Sequence, residues 1–336
     1  MIARLIVRTA FTIDVPEGVQ FEVPTYESNG YVVCFYPPKR SKEEEARSAG
    51  KEVTIDGTAT FSADLIHIDF VKNDFNRSRD IECDPPFSLI KDFLDHYLIR
   101  LRHITKSPII RASEFPHCDW RLNYLDDDGK ELSQVEGLLR KRGGMSFSVS
   151  WIALTGVMWR DIHAIPDDHV FPPWEELLLD AAFPGTSVGN SIVLAATALE
   201  VFVAHVLDVL ASDSPTPKEL WTWINNRQDH LREPSVEEQF DVLLKMMCGH
   251  SLKEDSKLWE AFKNLRAARN SFVHSGMARI GKSGEVLDDS KAKAFVASAL
   301  AVIEKVKSWL PEKHRWKQYS YPMEVKASIS LNSGTR

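Results

Sequence analysis

Arg269, Asn270 and His274 stand close together in the stretch LWEAFKNLRAARNSFVHSG at positions 258–276. A permanent cation, an amide and an imidazole at this spacing suit cleavage of an RNA phosphodiester without a metal. The guanidinium presents a fork of donors to non-bridging phosphate oxygens. The imidazole moves a proton near neutral pH, as base or as acid. RNA brings its own nucleophile, the 2′-hydroxyl, so the protein need not supply one. Bare spacing says little. With 20 Arg and 11 His in the chain, an Arg followed five positions later by His is expected about 0.65 times by chance, and requiring Asn directly after the Arg lowers this to about 0.02.

A helix has to position these groups. At roughly 100° per residue, Leu265, Ala268 and Phe272 cluster on one side, with Leu258 and Phe262 flanking them. Arg266, Asn270 and His274 fall at i, i+4 and i+8 and form a second stripe roughly opposite, with Arg269 at its near edge. His274 therefore lies off the apolar face, in the last turn before Ser275-Gly276, a helix stop. There the helix dipole favours the imidazolium. Asn270 is placed to orient His274 or to bond the phosphate, and Arg266, one turn earlier, to hold a neighbouring phosphate. A solvated helix face ending in a histidine has the same spacing, but the chemistry of the triplet and the neighbouring helices weigh against that reading.

A single imidazole cannot act as base and acid on opposite sides of phosphorus. A symmetric dimer that brings two such helices together supplies the second. The expected products are a 2′,3′-cyclic phosphate and a 5′-hydroxyl, and DNA is expected to resist because it lacks the 2′-hydroxyl. No cofactor is called for, and no metal. His117-Cys118, Cys248 with His250, and His163 with His169 lack the paired spacing of a zinc site. Arg140-Lys141-Arg142-Gly143-Gly144, the dense basic cluster of the first half, reads as a solvated loop.

The chain of 336 residues exceeds what one core usually organises, so two domains are expected. Residues 1–180 carry a net charge of −9 and residues 181–336 a net charge of +2. RNA is therefore expected to bind locally in the second half and not over a broad basic face. No apolar run reaches 18 residues without a charge, which speaks against a membrane span. The opening MIARLIVRTAFTIDVPEG alternates like a strand, unlike a signal peptide, and the four cysteines are scattered, so a cytoplasmic location is expected.

Alternating segments at 2–8, 20–25, 31–36, 52–55 and 64–71, broken by Pro, Gly and Ser, predict an antiparallel sheet. The charged run 39–51 is a loop or short helix. Helical spacing covers 87–104, strand patterns cover 120–125 and 145–154, and Asp126–Gly129 signals a turn. A linking helix at 174–182 and Phe183-Pro184-Gly185 close this part. Helices are expected at 187–210, 218–227, 236–248 (opened by the capping-box pattern Ser235–Glu238), 258–276 and 289–310. The fold class is thus α+β, with a β-rich domain at 1–180 and an all-α up-down bundle at 187–310. A polar tail, 311–336, carries a strand pattern at 319–330.

The Arg-Asn-x3-His element, the phrase LRAARNSFVHSG and the earlier phrase IVLAATALEVFVAHVL resemble the HEPN superfamily, and within it the Apea-like branch, over residues 187–310. The resemblance implies a HEPN-like bundle and a metal-independent endoribonuclease that dimerises to pair two Arg-x4–6-His motifs. Arg269 matches the motif's Arg, Asn270 its polar follower and His274 its His. The resemblance also suggests Glu200, in the first long helix, as a supporting acidic residue. It implies a role in anti-phage abortive infection, with residues 1–180 sensing a phage or host trigger, though the resemblance does not extend over them. Two alternatives stay open: a non-catalytic HEPN module that binds RNA or a partner protein, and the toxin of a toxin–antitoxin pair.

Overall fold

A computed structural model describes residues 1–48, 51–75, 83–112, 115–137, 152–213, 221, 224, 234–280, 284–317 and 319–329. The chain combines an antiparallel sheet toward its N-terminus with helices toward its C-terminus, as the α+β pattern predicts. It divides into two compact units, Met1–His169 with the segment from Tyr319 onward, and Val170–Gln318. The basic cluster at 140–144, the helix expected at 218–227 and most of the strand expected at 145–154 lie outside the described residues.

In the first unit, β1 (Ile2–Pro16) runs antiparallel between β5 (Thr58–Val71) and β6 (Trp120–Leu125). Alternation along β1 turns Ala3, Leu5 and Val7 to one face. Their partners Phe70, Ile68 and Ile66 on β5, and Tyr124, Leu122 and Trp120 on β6, share that face, and all nine are buried. The helix α2 (Phe87–Thr105), which follows α1 (Lys42–Ser48), buries Ile90, Leu94, Tyr97, Leu98 and Leu101, as its helical spacing predicts. The α3 helix (Gly156–Ala164), which the sequence pattern did not signal, contributes Trp159 to the same core. The Trp159 ring meets Tyr97 edge-on at 6.2 Å, and its indole N–H donates to the Glu22 carbonyl at 2.8 Å.

Two turns set the registers. β2 (Thr25–Ser28) and β3 (Tyr31–Lys39) are joined by Asn29-Gly30, with φ of 51° and 80°. This is the left-handed geometry that a two-residue hairpin turn demands. It places Ser28 opposite Tyr31 and confines β2 to 25–28, correcting the strand expected at 20–25. Pro24 ends the pairing: it accepts a bond from the Phe35 amide but has no N–H to return. Asp56-Gly57 makes the equivalent turn between β4 (Lys51–Ile55) and β5. After the expected turn at 126–129, β7 (Glu131–Glu136) pairs with β6.

The second unit contains α4 (Pro173–Ala181), α5 (Val188–Asp213), α6 (residues 236–248), α7 (Ser256–Ser275) and α8 (Asp289–Trp309). The helix read as a linker is α4, and it belongs to this unit: Trp174 packs on Phe202 of α5 at 5.4 Å. By length and composition alone α5 is apolar enough to cross a membrane. Its Leu199, Phe202, Val203 and Val206 are buried in the core that α4, α7 and α8 also line, the position of a central helix. The expected capping box opens α6, with both reciprocal bonds between Ser235 and Glu238 present. Its middle, Gln239–Leu243, widens into a π turn that sets Phe240 against Phe262 of α7 at 4.8 Å.

A short hairpin, β8 (Arg279–Ile280) with β9 (Glu285–Val286), lies between α7 and α8. After α8 the strand pattern in the tail becomes β10 (Val325–Ile329), which pairs with β4. Asp56 ties it down, its N–H donating to the Glu324 carbonyl and its carboxylate accepting from the Glu324 N–H. Within the expected tail, Val325–Ile329 thus add an edge strand to the sheet of the first unit.

Candidate functional site

The α7 helix begins where Asp255 caps it, its carboxylate accepting from the Leu258 amide at 3.1 Å. It ends at Gly276, whose φ of 71° suits glycine. Phe262, Leu265 and Ala268 are the buried residues, on the face predicted to be apolar. Phe272, half-buried, extends that face by one turn and lies against Gly189 in the first turn of α5. A Cβ built on Gly189 would stand 2.0 Å from the Phe272 ring. Only a residue without a side chain lets the C-terminal half of α7 approach α5 this closely.

The polar side of α7 carries the chemistry. Arg269 donates from Nη1 to the Asn270 side-chain oxygen at 3.1 Å, so Asn270 orients the guanidinium and not His274. The Arg269 Nε is buried without a hydrogen-bond partner. His274 is exposed in the last helical turn and makes no hydrogen bond among the described residues. Just beyond it the chain is latched: the Ser271 hydroxyl donates to the Met277 carbonyl at 2.8 Å, and the Ser275 hydroxyl to the Ser271 carbonyl at 2.7 Å. These bonds hold the turn that carries His274. Val273 and Met277, on either side of it, are exposed apolar side chains.

Arg266, expected to hold a neighbouring phosphate, is paired within the chain. Its Nη1 donates to Glu237 of α6 at 2.5 Å, and its guanidinium lies over the Phe262 ring at 5.8 Å. In this state the cation is already neutralised. Glu200 is half-buried on α5, 11 positions beyond Gly189. Gly189, Ser271 and Glu237 were not singled out from the sequence. A glycine in the first turn of a long apolar helix was the one visible signal.

Three of the other sequence candidates, His163, Cys248 and His250, make structural contacts. His163 accepts from or donates to the Tyr26 hydroxyl at 2.7 Å and stacks on Tyr97. Burial, with Arg100 nearby, pushes its pKa down to about 3. The Cys248 thiol donates to the Leu244 carbonyl, and burial raises its pKa. The His250 ring stacks on Trp309. Among the described residues, no three His, Cys, Asp or Glu side chains converge in a way that would hold a metal ion. Comparison of the chain with family models, with curated proteins and with solved structures returned no match.

Proposed function

We propose that α7 carries one half of the active site of a metal-independent endoribonuclease of HEPN type. The observation that carries this reading is the Arg269–Asn270 pair followed one turn later by an unengaged, exposed His274. Arg269 would bind the non-bridging oxygens and stabilise the charge that grows on them in the phosphorane. His274 of one copy would take the 2′-hydroxyl proton, and His274 of a second copy would protonate the 5′-oxygen as it leaves. Val273 and Met277 give the two-fold pairing an apolar surface to bury next to the reacting groups. The likeness of residues 187–310 to HEPN proteins extends the proposal to abortive infection, with the β-rich unit answering a phage or host trigger.

A second reading has an observation of its own. No side chain among the described residues orients the His274 ring, and in most acid–base sites a third group does so. A module that binds RNA or a protein through Arg269 without cutting would look the same in a single chain.

Purified protein incubated with labelled RNA in EDTA separates the two. The nuclease reading expects cleavage by the wild type and none by Arg269→Ala or His274→Ala, with all three folded and equally dimeric by sedimentation. RNA binding by all three with no cleavage by any would establish the binding module instead.

A further inference from the structure

The N-terminal sheet has a second face, opposite the one that packs on α2. Alternation along β1 turns Arg4, Ile6 and Arg8 to it, and the register assigns the neighbours. Ile6 lies opposite His67 on β5 and opposite Arg121 on β6, and His67 in turn lies opposite Tyr36 on β3. Lys39, opposite Leu65, belongs to the same face. The row therefore reads Tyr36, His67, Ile6, Arg121 across four strands.

Most charges on this face are spoken for. Arg4 makes a two-pronged pair with Asp69, at 2.8 Å on each oxygen. Arg8 pairs with Glu43, Asp64 and Asp119. Arg121 and Lys39 make no ion pair among the described residues, although Glu136 stands opposite Arg121 on β7. His67 is 9% exposed, and its Nε2 has no hydrogen-bond partner. A buried polar atom left unpaired calls for an explanation. Burial, with Lys39, Arg4 and Arg121 adding repulsion, lowers the His67 pKa to about 4, so the ring is a neutral donor or acceptor at neutral pH.

We infer that this face binds a phosphate-sized oxyanion over Ile6, between His67 and Lys39 on one side and Arg121 on the other. β5 and β6 flank β1, so the two walls are about 9.6 Å apart at the usual strand spacing of about 4.8 Å. The ligand must offer oxygens in opposite directions at once. A tetrahedral phosphate does this, whereas a carboxylate presents both oxygens on one side. Ile6, half-buried and uncharged, puts no competing charge in the middle of the row. An anion there would give His67 Nε2 its missing partner and neutralise two unpaired cations. Lys39 and Arg121 are long, exposed chains that can swing aside to admit it. The ion is either free phosphate or the phosphate of a small ester. The site shares no residue with α7 and does not depend on the nuclease proposal.

Calorimetric titration of the full chain in phosphate-free buffer tests this, with inorganic phosphate in one arm and a nucleoside 5′-monophosphate in the other. Saturable binding is expected, weakened about tenfold or more by Arg121→Ser and by Lys39→Ser. Arg160→Ser, which removes an exposed cation on α3, should bind like the wild type. The His67 ring proton signals should shift on saturation in NMR spectra. Equal affinity in both arms would identify free phosphate as sufficient, and much tighter binding of the monophosphate would identify the ester. No saturable heat in either arm up to about 10 mM ligand, or binding indifferent to Arg121 and Lys39, would overturn the inference.

Discussion

The Phe272 ring occupies the place where a side chain on Gly189 would be, with a Cβ there only 2.0 Å from the ring. Glycine inside a helix normally costs about 1 kcal/mol relative to alanine. At this position the sign should reverse, because overpacking typically costs about 1–3 kcal/mol. Gly189→Ala is expected to lower the melting temperature and to displace the turn that carries His274. Adding Phe272→Leu should recover most of the stability. A Gly189→Ala protein as stable as the wild type would show that α5 and α7 are not in this contact.

The Arg266–Glu237 pair gives a prediction about RNA. With the two side chains 24% and 47% exposed, it is worth about 0–1 kcal/mol, so Glu237→Gln should melt close to the wild type. The freed Arg266 should then reach a neighbouring phosphate. RNA affinity should rise, and the log–log salt slope should steepen by about 0.7. Filter binding at several salt concentrations checks this, and an unchanged slope would mean that Arg266 never faces RNA.

Asn270 braces Arg269 and has no bond to His274. Asn270→Ala should therefore slow RNA cleavage by roughly ten- to a hundredfold, while Arg269→Ala and His274→Ala abolish it. Single-turnover rates should fall with little change in RNA affinity. A loss as complete as that of His274→Ala would place Asn270 on the reacting atoms.

Two buried imidazoles set an acid limit. His163 is held down at about 3 and His67 at about 4, in each case chiefly by burial. Both lie below the unfolded value of about 6.5, so the unfolded chain binds more protons between these values. Stability contributed by the neutral rings is complete above about pH 6.5 and is lost as pH falls toward 3. Urea midpoints should stay level from pH 7.5 to about 6.5 and fall from there to pH 4.5. The paired change Tyr26→Phe with His163→Phe should flatten that slope by up to one proton, and an unchanged slope would remove His163 from the account.

Where the sequence was legible, the signals were local. The stripe Phe262, Leu265, Ala268 identified the buried face of α7, Ser235 and Glu238 the start of α6, and alternation in IARLIVR the inner face of β1. The alternation at 20–25 does not form a strand because Pro24 interrupts the ladder, and the register is set instead by Asn29-Gly30 just beyond it. At nine residues α3 is too short for periodicity to stand out, and Trp159 earns its place through contacts distant in sequence. The candidate site divides in the same way. Arg269, Asn270 and His274 share one helix and were visible together. Glu237 and Gly189 meet α7 only through folding, and the fact that Asn270 serves Arg269 is a rotamer, which spacing cannot convey.

The most direct test is end-group analysis of RNA cut in EDTA, by mass spectrometry, with the substrate offered in ribose form and with a 2′-deoxy sugar at the cleaved position. Attack by the 2′-hydroxyl predicts a 2′,3′-cyclic phosphate on one fragment, a 5′-hydroxyl on the other, and an intact deoxy substrate. A 5′-phosphate product, cutting at the deoxy position, or cleavage that survives His274→Ala would contradict it.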